Sequence, residues 1–260
     1  MDFLEFVDSN NLIGKGDTVY VISDMMGLAM KYRNNGRKLN LDDIISGLIS
    51  RVGSEGNLLF PTFNWDFCKG IPFDYYKTQC KTGALSKAAL KREDFQRTSH
   101  PLYSFAVQGK CAEAFVRVND PKSFGPNTIF DMLTDLDAKA LVIGIPALSG
   151  FTYIHHVEKM VGVPYRYEKN FTAEYTDCKG DTSTRTYSMY VRDLDMDPRH
   201  INGFEPLEKI MLENKVITKL WYGDVPVSCM KVRDTFEPIR KDICENDSKN
   251  MYVYNHKEPV

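Results

Sequence analysis

Two of the chain's five histidines stand side by side in "GFTYIHHVEKMVGVPYRY", residues 150–167. On a helix, residues three apart share a face, so Thr152, His155 and Glu158 form one column. A carboxylate one turn from an imidazole fixes its tautomer and raises its basicity, which is what a general base requires. His156 then points about 100° away. The fragment also reads as a buried histidine satisfied by a helix neighbour. A third reading makes His155 and Glu158 two ligands of a hydrolytic zinc ion, with His100 or His200 as the third. The spacing is not the H-E-x-x-H of zincins, and no motif supplies a third ligand.

The column needs elements to position it. "DTVYVIS" (17–23), "NLLFPTF" (57–63) and "KALVIGIP" (139–146) are short apolar runs that read as buried strands. Between the first two, Leu41, Ile44, Ile45, Leu48 and Ile49 make a helical stripe that stops at Gly53. "FTYIHHVEKMVG" follows the third strand as a helix, which places the column at the C-terminal edge of a sheet. Further on, "TSTRTYSMYVRDLD" alternates like a strand with one wet face, and "FEPLEKIMLENKVI" reads as an amphipathic helix. The expectation is an α/β fold: a central mixed sheet flanked by helices, with a smaller β-containing C-terminal portion and one domain over residues 1–260.

Composition limits the partners. At 43% hydrophobic and 26% charged, the 260 residues are ordinary for a globular chain. A net charge of −2 argues against binding nucleic acid or an anionic membrane through bulk charge. The acidic N-terminus lacks the pattern of a leader, and no apolar run is long enough to span a bilayer. The six cysteines (Cys68, Cys80, Cys111, Cys178, Cys229, Cys244) include no C-x-x-C pair, so reduced thiols and a cytoplasmic location are expected.

Five segments, in order, resemble the aminoglycoside 3-N-acetyltransferase family of antibiotic N-acetyltransferases. "LIGKGDTVYVIS" (12–23) is similar to that family's opening region, and "VGSEGNLLFPTFNWDF" (52–67) to its G-x-x-G-T-L-x-x-P-T-F block. "TGALSKAALKREDFQRTSHPLYSFAVQGK" (82–110) is similar to its G-A-L…R-S-x-H-P-x-x-S-x-A-x-x-G block. "SFGPNTIFDML" (123–133) and "ALVIGIPALSGFTYIHHVEKMVGVPYRY" (140–167) resemble the P-F-G-x-x-S-P and T-x-x-H-x-x-E blocks. The last ninety or so residues match only in general character.

The resemblance implies direct acetyl transfer from acetyl-coenzyme A, without a metal, to an amine on a sugar-like acceptor. His155 is then the base. It is oriented by Glu158 or, from the unmatched C-terminal third, by Glu205 or Asp197. Thr152 and the turn before it are the nearest donors for the charge that develops on the thioester oxygen. Arg97, Ser99 and His100, followed by Ser104 and Phe105, offer donors and an apolar strand for coenzyme A; the plain alternative is a polar loop capping a strand. Phe124 and Gly125 would let a turn approach the pantetheine arm, and Ser23 is a phosphate-loop candidate. On the acceptor side are Ser149, Tyr165 and Arg166. Many members carry an Asp where Ser149 stands, and Arg166 offers a fork for phosphate. Together these point towards a mono-amino sugar on a nucleotide carrier, with an aminoglycoside-type acceptor as the alternative. A non-catalytic coenzyme A-binding member is a further alternative. Oligomeric state is not legible.

Overall fold

The computed structural model describes residues 1–193 and 200–254, with backbone alone at 200–202 and 253–254. Among them the first elements are α1 (Phe3–Ser9), β1 (Thr18–Ser23), α2 (Met26–Asn34), α3 (Leu41–Val52) and β2 (Asn57–Pro61). β3 (Phe73–Asp74), α4 (Ala84–Leu90), β4 (Gln96–Arg97), β5 (Phe105–Gly109), α5 (Ala112–Arg117), α6 (Ile129–Asp135) and β6 (Lys139–Ile143) follow. Then come α7 (Tyr153–Val161), β7 (Arg166–Thr176), β8 (Thr182–Arg192), β9 (His200–Asn202) and α8 (Glu205–Glu213). The last are β10 (Ile217–Tyr222), β11 (Val225–Lys231), α9 (Val232–Asn246) and β12 (Tyr252–Tyr254).

Seven strands form the central sheet in the order β10-β11-β6-β1-β2-β5-β4. β1 runs parallel to β6 and β2, and the outer pairings are antiparallel, so the expected mixed sheet is present. Its centre is apolar on both faces because alternate residues feed two cores. Tyr20, Ile22, Leu59, Val107 and Val142 pack on one side, and Val19, Val21, Leu58, Phe60 and Leu141 on the other. α3 covers the second face with Ile44, Ile45, Leu48 and Val52, and starts where Asn40 accepts from the Asp42 N–H at 3.0 Å. The C-terminal third is less separate than expected. β7 and β8 make a long hairpin beside β3, but β10 and β11 join the edge of the central sheet.

The parallel strands β1 and β6 end side by side, and the chain leaves β6 through Gly144. Its φ is 81°, and a Cβ there would lie 2.1 Å from the backbone oxygen of Asp24. The Asp24 N–H donates to the Ile143 carbonyl at 2.9 Å, and the Gly144 N–H to that of Pro226 at 2.8 Å. Only glycine permits this contact, from which the loop into α7 departs.

Candidate active site

α7 begins beside Gly150 (φ 78°) and Thr152 and stops at left-handed Gly162. Tyr153, Ile154 and Val157 bury its apolar side, which leaves His155 at the margin, its side chain 24% exposed. The column read from the sequence closes as a contact: His155 Nδ1 lies 2.7 Å from Glu158 Oε2. The Glu158 side chain is fully buried and has four partners. Oε2 also meets Arg166 Nε at 2.7 Å, while Oε1 accepts from Tyr165 Oη at 3.1 Å and from the Tyr252 hydroxyl. Burial alone would keep this carboxyl protonated. His155, Arg166 and Tyr252 outweigh it and hold the group down at about 2.

An ionised carboxylate only accepts, so the proton on His155 sits on Nδ1 and the lone pair on Nε2. Burial pushes the imidazole below its ordinary range; Glu158 opposes this, and Arg166 and Arg192 add to it. The neutral form therefore prevails near neutrality, with Nε2 as its basic atom. Thr152, one turn earlier, points its hydroxyl to the Gly150 carbonyl at 3.3 Å.

His156 is buried for a different purpose. Its Nδ1 accepts from the Gly125 N–H at 3.3 Å, and its ring stacks on Tyr153 with centroids 5.1 Å apart. Burial takes its pKa down to about 4. The second histidine thus pins the Phe124–Gly125 turn against α7. Phe124 is buried there, edge-on to His155 at 5.8 Å and in contact with Tyr103 and Phe130.

The residues from Arg97 to Phe105 form an internal clasp. Arg97 is buried and donates to Ser104 Oγ (3.0 Å) and to the carbonyls of Tyr75 (3.3 Å), Thr78 (2.6 Å) and Thr62 (3.4 Å). Its fork is spent inside the fold, not offered to a phosphate. Ser104 donates to the Thr62 carbonyl, and Ser99 to that of Val118. His100 caps a turn by accepting from the Leu102 and Tyr103 N–H groups, and burial drives its pKa down to about 3. Phe105 lies in the core against Tyr20 and Phe63. The cap-and-turn alternative describes this segment better than a coenzyme grip.

Arg166 requires a similar correction. Its side chain is 7% exposed and turns inward to Glu158, the Tyr190 carbonyl and Tyr252 Oη. A buried carboxylate requires a counter-charge, and Arg166 is that charge. Tyr165 also faces this network, bonding Ser248 Oγ at 2.9 Å. Glu158 is the carboxylate on His155. Glu205 lies elsewhere, lining a cleft of about 220 Å³ with Ser149, Gly150, Phe204 and Glu208. Asp197 and the His200 side chain lie outside the described residues, among which no three His, Cys, Asp or Glu converge as metal ligands. Ser23 lines a second cleft of about 580 Å³ with Asp24, Met25, Met26, Leu39 and Gly83, at the end of β1. Sequence reasoning missed Tyr252, Ser248 and Tyr190, which no local pattern ties to α7.

The family model of the aminoglycoside 3-N-acetyltransferases matches residues 29–242. No curated protein matches the sequence significantly. Among solved structures, AAC-IIIb in a binary complex with CoASH is 17% identical, with 98% of this chain and 97% of that one covered at a TM-score of 0.76. Sisomicin-bound AAC-VIa is 17% identical, covering 92% and 95%, also at 0.76. The YokD protein from Bacillus subtilis is 16% identical, covering 92% and 96%, at 0.71. These neighbours share the fold, and the family match extends over most of the chain, including β6 and α7. The chain therefore belongs to the aminoglycoside 3-N-acetyltransferase family and is an acetyl-coenzyme A-dependent N-acyltransferase.

Proposed function

We propose that the chain acetylates an amine of a cationic amino sugar by direct transfer, with His155 as general base. The observation that carries this reading is the 2.7 Å contact between His155 Nδ1 and the buried Glu158 carboxylate, which leaves Nε2 basic. Nε2 takes the proton of the acceptor amine as its nitrogen bonds to the thioester carbon. As the C–S bond breaks, the same imidazolium returns a proton to the departing thiolate. Thr152, the hydroxyl nearest to His155 in sequence, would stabilise the oxyanion between those steps by leaving the Gly150 carbonyl it now meets. The apolar cleft beside Ser23, walled by Met25, Met26 and Leu39, suits a pantetheine arm.

The charge pattern bears on the acceptor. With Arg166 committed to Glu158, the fork for a nucleotide diphosphate is gone. Ser149 shares its cleft with Glu205, so α8 supplies a carboxylate that residue 149 lacks, whereas Glu208 is spent on Lys219 Nζ at 2.8 Å and the Leu148 N–H at 3.3 Å. Both points favour a polyamine of the aminoglycoside type, as does the sisomicin complex of AAC-VIa. The test is thiol release from acetyl-coenzyme A with aminoglycosides and with nucleotide-linked amino sugars at one ionic strength. The expected result is at least about tenfold higher kcat/KM for an aminoglycoside, the effect of roughly one well-placed charge. A nucleotide-linked sugar winning by that margin would overturn the assignment.

A further inference from the structure

Both oxygens of Glu158 are filled, but from very different places in the chain. Oε2 is held locally, by His155 on α7 and Arg166 at the start of β7. Oε1 is held by Tyr165 and by Tyr252, a residue 94 positions further on. Tyr252 also accepts from Arg166 Nη2 at 3.3 Å, so it bridges the carboxylate and its counter-charge. It lies beyond residue 242, where the family match ends.

The route by which Tyr252 arrives is itself built. α9 ends in two consecutive non-glycine residues of positive φ, Asp247 (51°) and Ser248 (60°), which turn the chain back towards α7. Such conformations are unfavourable for residues other than glycine and persist where their surroundings hold them. Asp242 does the holding. Buried on α9, it accepts from Asn246 Nδ2 (2.7 Å), Asn250 Nδ2 (2.7 Å) and the Asn250 N–H (3.2 Å). Ser248 is fully buried in the reversal, accepts from the Met251 and Tyr252 N–H groups at 3.0 Å each, and its hydroxyl bonds Tyr165. The turn thus delivers two contacts to one network.

We propose that Tyr252 is a positioning residue for the transfer: its hydroxyl fixes the Glu158 carboxylate, which in turn fixes the tautomer and ring of His155. This rests on His155 as the base. The groups facing that imidazole and its carboxylate are Arg166 from β7, Arg192 and Tyr190 from β8, Tyr165 from the loop before β7, and Tyr252 from β12. Tyr252 donates to the ionised carboxylate and lowers its basicity. Removing the hydroxyl leaves a stronger acceptor opposite Nδ1, stabilises the imidazolium and moves the acid limb of kcat/KM upward in pH.

The experiment is Tyr252→Phe, which keeps the ring, measured as kcat, KM and pH profile alone and in a Glu158→Gln background. The expected outcome is a roughly five- to tenfold loss of kcat, KM values within about twofold, and an acid limb moved upward. In Glu158→Gln the added substitution should change kcat by less than about twofold, since the carboxylate it acts on is gone. 3-Fluorotyrosine at 252 keeps the shape and donates more strongly, so it should move the limb downward even if Tyr252→Phe fails to fold. An unmoved limb in the folded variants, or a loss of kcat undiminished in Glu158→Gln, overturns the inference while leaving His155 as base. His155→Gln retaining kcat within about tenfold would remove the base itself, and the Tyr252 inference with it.

Discussion

Adjacent residues on α7 diverge by about 100°, so His155 and His156 meet different surroundings. His155 reaches the margin with Nε2 basic, whereas His156 is 2% exposed and holds the Gly125 N–H. The two alanine variants should separate accordingly. His155→Ala should lose at least about 100-fold in kcat with little change in melting temperature, the low end for a positioned base. His156→Ala should keep kcat within about tenfold but lose about 2–4 kcal/mol of stability, from a cavity and an unpaired Gly125 N–H. Steady-state kinetics and denaturant unfolding on the same preparations check both, and matching losses would refute the division. Because His155 sits below the ordinary imidazole value of 6.5, kcat/KM should hold its plateau down to below that pH before the acid limb begins.

At the scale of elements, α7 is aimed by what precedes it. Gly144 lets β6 end against the backbone of Asp24, and the loop to Thr152 starts from that contact. Gly144→Ala would force backbone apart from backbone and should cost about 2–4 kcal/mol, with reduced kcat as the start of α7 shifts. An unchanged urea midpoint would contradict it. This position was not legible in the sequence, since any glycine after a strand reads as a turn. The strands around Val19, Leu58 and Leu141, and helices α3, α7 and α8, were legible because each carries its own burial period. α9 was not: Pro238 lies inside it, and its buried face is only Val232, Thr235, Ile239 and Asp242. The β10–β11 hairpin carries a signal in Gly223–Asp224 between two β-rich runs. At the site, the His155–Glu158 pair was legible because one helical turn encodes it. The fates of Arg97 and Arg166 were not, because a donor's partner is set by the tertiary fold. A fork that reads as a phosphate grip in sequence turns inward wherever the fold buries it beside carbonyls or a carboxylate.

Among the described residues, His100, His156 and Glu158 are buried groups that resist protonation in the folded state, and His155 joins them. His100 titrates at about 3, His156 at about 4 and Glu158 at about 2, against ordinary values of 6.5, 6.5 and 4.5. Between each pair of values the unfolded chain binds the proton and the folded chain does not, so stability falls as pH falls. The histidines act from about 6.5 downward, and Glu158 continues the loss below about 4.5. Urea midpoints should be level near neutrality and decline steadily below about pH 6; a level midpoint down to about pH 5 would contradict this reading. The long closure from Glu158 to Tyr252 also has a consequence in time. A ribosome adding about 5–20 residues per second needs roughly 5–20 s to make the 94-residue stretch between them. For most of that interval the nascent chain holds its histidine, its carboxylate and its arginine, but not the tyrosine that completes their arrangement. With Tyr252 as the positioning residue, full activity waits on synthesis: the arrangement on Glu158 closes last, after β10, β11 and α9 have been made.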